Sequence, residues 1–209
     1  MINIFLVRHG DNDSVGNWLA GRDMSVHLNE QGRRQAQQTA EWLSTYPIQA
    51  IYSSPLSRAM ETARPLAESL SLPIHEREAL NEIDYGNFVG RTFTDLKNDP
   101  NWRQRVDNPA TMAFPQGESI IQVQTRVTFL LDDLHNYYPE NATIALFSHA
   151  DTIRIFLAVA LGLPLATYTR LDIAPASVSE ISRWQDQYKV YFINQIPYGK
   201  FKIPVPEKS

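Results

Sequence analysis

Ile2 to Val7 is an almost wholly apolar run that stops on Arg8, His9 and Gly10. A short run without alternation suits a strand covered on both faces of a sheet. From Asn29 the period changes: Ala36, Ala40 and Leu43 recur at helical spacing behind a residue able to cap, and Pro47 follows. "QAIYSS" reads as a second short strand, and "SPLSRAMETA" opens a helix with Ser54 as N-cap and Pro55 at its first position. Pro65 is predicted to kink or split that helix before "LAESL".

From Asn81 to Gly117 the periodicity is poor, and Gly, Pro, Asn and aromatic residues accumulate. Such a stretch reads as a long excursion over one end of a sheet, here a lid. Ser119 and Gln122 spell a capping box before a long amphipathic helix that reaches about Tyr138, with Val127, Leu130, Leu131 and Leu134 facing inward. "ATIALFSHADTIRIFLAVALGLP" predicts a buried strand, a turn at Ser148 and His149, and a helix ended by Gly162 and Pro164. Two last strands are predicted around "SVSEISRW" and "KVYFINQ".

Strands alternating with helices predict a three-layer α/β/α sandwich with a mostly parallel central sheet, and the lid covers the carboxyl ends of its strands. A chain of 209 residues with 43% hydrophobic content suits a single domain over 1–209, with the lid at about 81–117 and an extended tail at about 195–209. The net charge is −4 with no long run of one sign, which argues against nucleic acid and against a polybasic membrane patch. The absence of cysteine excludes disulfides, thiolate metal sites and a thiol nucleophile. "MINIFLVRHG" lacks a basic leader and a cleavage site, and its apolar run is too short to span a bilayer, so a cytoplasmic protein is expected.

In sheets of this kind ligands sit at the carboxyl ends of the strands. "RHG" and "SHA" both fall there, so the costly residues that stop these strands face a ligand. Arg8 and Arg58 suit phosphate, because a guanidinium fork donates two parallel hydrogen bonds to one oxyanion face. His9 beside two guanidiniums has its charged form disfavoured, which keeps a ring nitrogen free as a nucleophile. Gly10 lets the backbone approach closely and offers an N–H to an anion. His149 begins a helix whose dipole favours anions, and can donate to the same phosphoryl oxygens. Glu82 is the candidate proton donor for the leaving oxygen, with Glu78, Asp84 and Glu118 in reach of the same pocket.

The five segments "LVRHG", "SSPLSRAMETA", "LNEIDYGNFVGRT", "PQGES" and "ALFSHADTIR" stand in the order seen in the histidine phosphatase superfamily. The chain resembles its phosphoglycerate mutase-like branch over roughly residues 2 to 182. The resemblance implies that His9 forms a phosphohistidine, that Arg8, Arg58 and His149 hold the phosphoryl group, and that Glu82 supplies the proton. It also implies metal-free chemistry with no cofactor. The family pattern "RHGxTxxN" is broken here: Asn12 and Val15 stand at its Thr and Asn positions, with Ser14 and Asn17 nearby. Asn12, Ser14 and Asn17 are therefore expected to supply the neighbouring phosphate contacts. Gly21 and Arg22, in "LAGRD", are expected to edge the pocket and meet a second anionic group of the substrate.

The expected activity is that of a phosphomonoesterase acting on small phosphorylated metabolites and releasing inorganic phosphate. A phosphoglycerate mutase is the alternative within the same chemistry, although mutases that use bisphosphoglycerate resemble longer chains. A non-catalytic module that binds phosphate ligands is the rival from another class. His27, His75 and His135 read as structural, Arg154 as an ion-pair partner, Tyr85 and Phe88 as lid packing, and Trp18, Trp42, Trp102 and Trp184 as ordinary aromatics. The apolar, proline-rich tail could cover a neighbouring subunit, which leaves a homodimer open.

Overall fold

β1 (Ile2–Arg8) is apolar on both sides because both sides are covered. Ile4 and Leu6 point into one core with α5 (Ile120–Tyr137) and α6 (Ala150–Leu161). Phe5 and Val7, on the opposite face, point into a second core with α1 (Glu30–Leu43) and α2 (Ser57–Leu70). The computed structural model, which describes residues 1–109 and 111–197, is thus a sheet between two helical layers. The other strands are β2 (Ala50–Ser53), β3 (Ile74–Glu76), β4 (Thr143–Ser148), β5 (Val178–Trp184) and β6 (Gln187–Gln195). Their order is β3-β2-β4-β1-β5-β6. The four strands from β3 to β1 run parallel, and β5 and β6 close the sheet antiparallel. Beyond residue 197 the expected tail lies outside the described residues.

Local chemistry sets most helix ends. The Asn29 side chain accepts from the Gly32 N–H, and Ser119 and Gln122 form the reciprocal capping box. Gly162 ends α6 in the left-handed region at φ 64°. The inward positions Val127, Leu130, Leu131 and Leu134 of α5 are all buried.

Two expectations need correction, and one strand was not predicted. Ser54 is not the cap of α2, which begins at Ser57 with Leu56 as N-cap and no capping side chain. The Ser54 hydroxyl is instead drawn to Asn81 and His149. Pro65 does not split α2, because Thr62, Ala63, Leu66 and Ala67 on either side of it are buried and hold the helix in place. The short edge strand β3 carries no periodic signal in the sequence; parallel pairing to β2, with Ile51 opposite Ile74, makes it a strand.

The lid has structure of its own. It contains a 3-10 turn at Gly86–Phe88, α3 (Phe93–Lys97) and α4 (Pro100–Asp107), the last capped by the Asp99 carboxylate. Tyr85, Phe88, Trp102 and Phe114 pack edge-to-face or tilted, with ring centroids from 4.9 Å for Tyr85 and Phe114 to 6.1 Å for Phe88 and Phe114. Such pairs are worth about 0.5–1.5 kcal/mol each beyond their buried area.

Candidate active site

Parallel pairing places the two central histidines together. Arg8 ends β1 directly opposite Ser148, which ends β4, so the next residue of each strand leaves the sheet at the same level. The His9 N–H donates to the Ser148 carbonyl at 3.0 Å, and the rings of His9 and His149 stand 5.2 Å apart. Both are buried. Burial, with the charges of Arg58 and Arg8 in His9 and of Arg58 in His149, holds both rings well below the ordinary imidazole range.

Neutral rings have one donor and one acceptor, and their neighbours assign them. His9 Nδ1 lies 2.7 Å from the Gly10 carbonyl, so it carries the proton and Nε2 keeps a free lone pair. Ser54 gives its hydroxyl proton to Asn81 Oδ1 at 2.8 Å and stands 2.9 Å from His149 Nε2, which therefore donates to it. His149 Nδ1 is buried with no hydrogen-bond partner among the described residues.

Two guanidiniums flank the rings. Arg8 donates from Nη1 to the Ile173 carbonyl at 2.6 Å, and its buried Nε has no partner among the described residues. Arg58 donates to the carbonyls of Gly21 and Asp23, at 2.6 and 3.1 Å. Burial and the charge of Arg8 push Arg58 down to about 10, so it stays a cation near neutral pH.

Glu82 and Asp151 are two buried carboxyl groups with opposite fates. Burial raises Glu82, and the Asp151 charge raises it further. Burial would also raise Asp151, but the charges of Arg154 and Arg105 and the Tyr85 hydroxyl, 2.6 Å away, hold it down. Burial and the Asp151 charge thus favour the protonated form of Glu82, while the cations beside Asp151 favour its anion. These groups line a cavity of about 240 Å³ at the carboxyl ends of the strands, walled by Trp18, Leu19, Phe93 and Trp102.

The family model of the histidine phosphatase superfamily, branch 1, matches residues 4–196. The chain belongs to this superfamily. It is 31% identical over 185 residues to phosphoserine phosphatase 1 of Hydrogenobacter thermophilus, covering 87% of this chain and 86% of that one. It is also 31% identical over 184 residues to a probable phosphoglycerate mutase of Proteus mirabilis, covering 87% and 85%. Among solved structures, a mycobacterial glucosyl-3-phosphoglycerate phosphatase in complex with inorganic phosphate superposes with a TM-score of 0.83. That alignment is 28% identical and covers 94% of this chain and 99% of the other.

Against this histidine phosphatase framework the expected site residues divide. Arg8, His9, Arg58, Glu82, Ser14 and Gly21 line the cavity, and His149 lies against His9. Gly10 does not offer its N–H to the cavity, because it donates to Thr62 Oγ1 at 2.9 Å. Its role is steric: a Cβ there would stand 2.6 Å from the Gly32 carbonyl oxygen at the start of α1. Asn12 is buried beneath the loop, where its Oδ1 accepts from the Ser14 N–H and hydroxyl. Asn17 turns outward to donate to the Asp13 carbonyl. Arg22 is taken by Glu118 at 2.8 Å and by the Glu82 carbonyl at 3.0 Å, so it braces the loop that carries the acid.

Sequence reasoning passed over Tyr85, Trp102, Arg105, Asp151 and Arg154 as cavity residues. Arg154 makes the expected ion pair, but with Asp151 inside the cavity wall. Only the spacing of Asp151 and Arg154, which follow His149 closely on one helix, pointed to the site.

Proposed function

We propose that this protein is a phosphomonoesterase that hydrolyses small phosphorylated metabolites through a phosphohistidine on His9 Nε2. One single domain over residues 1–209, with the lid at about 81–117, carries the reaction. The observation that supports it best is the His9 Nδ1 contact with the Gly10 carbonyl at 2.7 Å, which leaves Nε2 unprotonated in a cavity lined by guanidiniums. Arg8 and Arg58 hold the phosphoryl oxygens. A phosphate dianion against His149 Nδ1 favours a proton there, turning that nitrogen from acceptor to donor. His9 Nε2 attacks phosphorus in line with the ester oxygen; the N–P bond forms, the P–O bond breaks, and Glu82 passes its proton to the departing oxygen. Water then attacks the phosphohistidine, the Glu82 carboxylate takes the proton released, and inorganic phosphate leaves as the His9 lone pair is restored.

The names of the phosphatase relatives support hydrolysis over transfer, and the mutase-named relative keeps transfer as the second reading. A panel of phosphomonoesters assayed for phosphate release tests both. Release from at least one small ester is expected; conversion of 3-phosphoglycerate to 2-phosphoglycerate without release would replace hydrolysis by transfer. Measurable phosphate affinity without any turnover would favour the non-catalytic binding module. The reading also places the protein in the cytoplasm, acting without nucleic acid or membrane. Support comes from the absence of a long charge run and from the fact that, among the described residues, no helix is long and apolar enough to cross a membrane. A homodimer stays tied to the tail, most of which lies outside the described residues.

A further inference from the structure

Ser54 has no hydrogen bond left to give. Its hydroxyl donates to Asn81 Oδ1 at 2.8 Å, while its oxygen accepts from the Leu56 N–H at 3.3 Å and stands 2.9 Å from His149 Nε2. Ser54, Asn81 and His149 are all buried. A hydroxyl carries one proton and Asn81 takes it, so Ser54 can only accept from the histidine. His149 must bring its own proton to Nε2, and the lone pair falls on Nδ1, which is buried with no partner among the described residues. The end of the ring left for an anion is the one that cannot donate.

Asn81 is itself held firmly. Its N–H donates to the Glu78 carbonyl at 2.9 Å, and its own carbonyl accepts from the Thr152 hydroxyl at 2.8 Å, one turn after His149 on α6. The residue that assigns the histidine proton is thus the chain neighbour of Glu82, and the two share Thr152 as a partner. The charges that bear on His149 come from Arg8 and His9 at the end of β1, Arg58 on α2 and Arg126 on α5, and all oppose a second proton on the ring. Glu82 and Asp151, the carboxyl groups of the same cavity, do not outweigh them. An anion reverses this balance, because its charge offsets the guanidiniums and its oxygen offers Nδ1 an acceptor.

We propose that Ser54 and Asn81 are positioning residues that lock His149 in this tautomer, so that binding of a phosphoryl dianion takes up a proton from water at Nδ1. This rests on the phosphatase reading above, which puts the phosphoryl group against that nitrogen. On binding, an N–H bond forms at Nδ1, Nε2 keeps its proton on Ser54, and the ring becomes an imidazolium; departure of inorganic phosphate returns the proton to water. The charge that grips the phosphoryl group exists only while the group is there, which keeps a further buried cation out of the empty site.

The probe is sulfate, a dianion with no proton of its own near neutral pH, and the enzyme is His9→Ala, which removes the other ring of the pair. Between pH 7 and pH 8.5 sulfate affinity should fall about tenfold per pH unit, the slope for one proton taken up. Nitrogen NMR of the His149 ring should show Nδ1 pass from lone pair to N–H as sulfate binds. Adding Ser54→Ala or Asn81→Ala releases Nε2 from its fixed proton, so the ring can meet sulfate as the neutral Nδ1–H tautomer, and the slope should shrink to about twofold per pH unit or less. Ser54→Thr, which keeps the hydroxyl, should retain the full slope. A merely structural role would weaken sulfate at every pH and leave the slope unchanged. That result, a flat dependence in His9→Ala itself, an Nδ1 already protonated in the empty site, or a ring that sulfate leaves unaltered, each overturns the proposal. The NMR reading of His9→Ala decides even if the alanine variants fail to fold. Failure of the phosphatase reading registers separately, as no phosphate release from any ester by the unaltered enzyme.

Discussion

Nδ1 of His9 stands 2.7 Å from the carbonyl oxygen of Gly10, its own neighbour, and this contact assigns the ring proton to Nδ1 and leaves the lone pair on Nε2. Gly10 can turn its carbonyl back because its N–H is anchored on Thr62 and its missing Cβ leaves room for the Gly32 backbone. Brief mixing with labelled substrate should therefore trap an acid-labile, alkali-stable adduct on His9, and His9→Ala should abolish it together with turnover. An adduct that persists in His9→Ala would move the nucleophile, with His149 the next ring in reach.

Arg58 holds two carbonyls of one loop, those of Gly21 and Asp23, through two different nitrogens. A lysine keeps the charge but cannot reach both carbonyls and a phosphoryl oxygen together. Arg58→Lys should lower kcat/KM by about tenfold or more, on the order of 1.4 kcal/mol of transition-state stabilisation. A value near that of the unaltered enzyme would show that the fork is not used on the substrate.

The two buried histidines set the acid side of stability. Both have folded values well below 6.5, so as pH falls through that value the unfolded chain binds protons that the folded chain cannot. Stability is full above the unfolded value and drops below it by up to about 1.4 kcal/mol per pH unit for each ring. Glu82 acts in the opposite sense: raised in the fold, it holds a proton that the unfolded chain has lost, so it favours the fold as pH falls toward 4.5. Glu180, raised by burial, acts with Glu82, but the two rings are held well below their ordinary value and dominate, and Asp151 and Glu118, both held low, titrate beneath this window. Urea unfolding at pH 5 and pH 7 should show the enzyme weaker at pH 5, and Glu82→Gln should widen the gap. Equal midpoints would mean that the rings are charged in the fold.

The fold was legible where periodicity and caps agree, as in β1, α1, α5 and α6, because each buries a continuous apolar stripe that local chemistry starts and stops. Ser54 misled for an instructive reason: a serine before a helix reads as a cap, yet here its hydroxyl is drawn away to orient His149. The meeting of Arg8, His9 and His149 at the strand ends was legible because costly polar groups stop two apolar strands there, and parallel pairing sets those ends side by side. Arg105 and Tyr85 were not. Their approach to the cavity depends on Tyr85, Phe88, Trp102 and Phe114 meeting from separate parts of the lid, and no spacing along the chain encodes that. The loop after Gly10 misled because Asn12 and Arg22, both suited to anions, are spent on holding the loops themselves.

Glu82 is the group whose role can be isolated most cleanly. Its Oε1 accepts from the backbone N–H of Ile83 at 3.0 Å and from the N–H and hydroxyl of Thr152, each at 3.3 Å. A carboxamide oxygen can take the same bonds, so Glu82→Gln removes the proton and little else. An alkoxide leaving from a sugar phosphate or glycerate needs that proton as the bond breaks, whereas p-nitrophenolate departs without it. General acids contribute about 10² to 10⁴ in rate when the proton is needed. Glu82→Gln should therefore slow phosphorylation of His9 from an alkyl phosphate within that range and cost p-nitrophenyl phosphate far less. Single-turnover phosphorylation is the measurement, since slow hydrolysis of the phosphohistidine would mask the difference in the steady state. Equal losses for the two leaving groups would assign Glu82 to positioning and send the search for the acid to Asp84, whose carboxylate holds the Gly86 N–H, or to Glu118, which is engaged by Arg22 and Arg126.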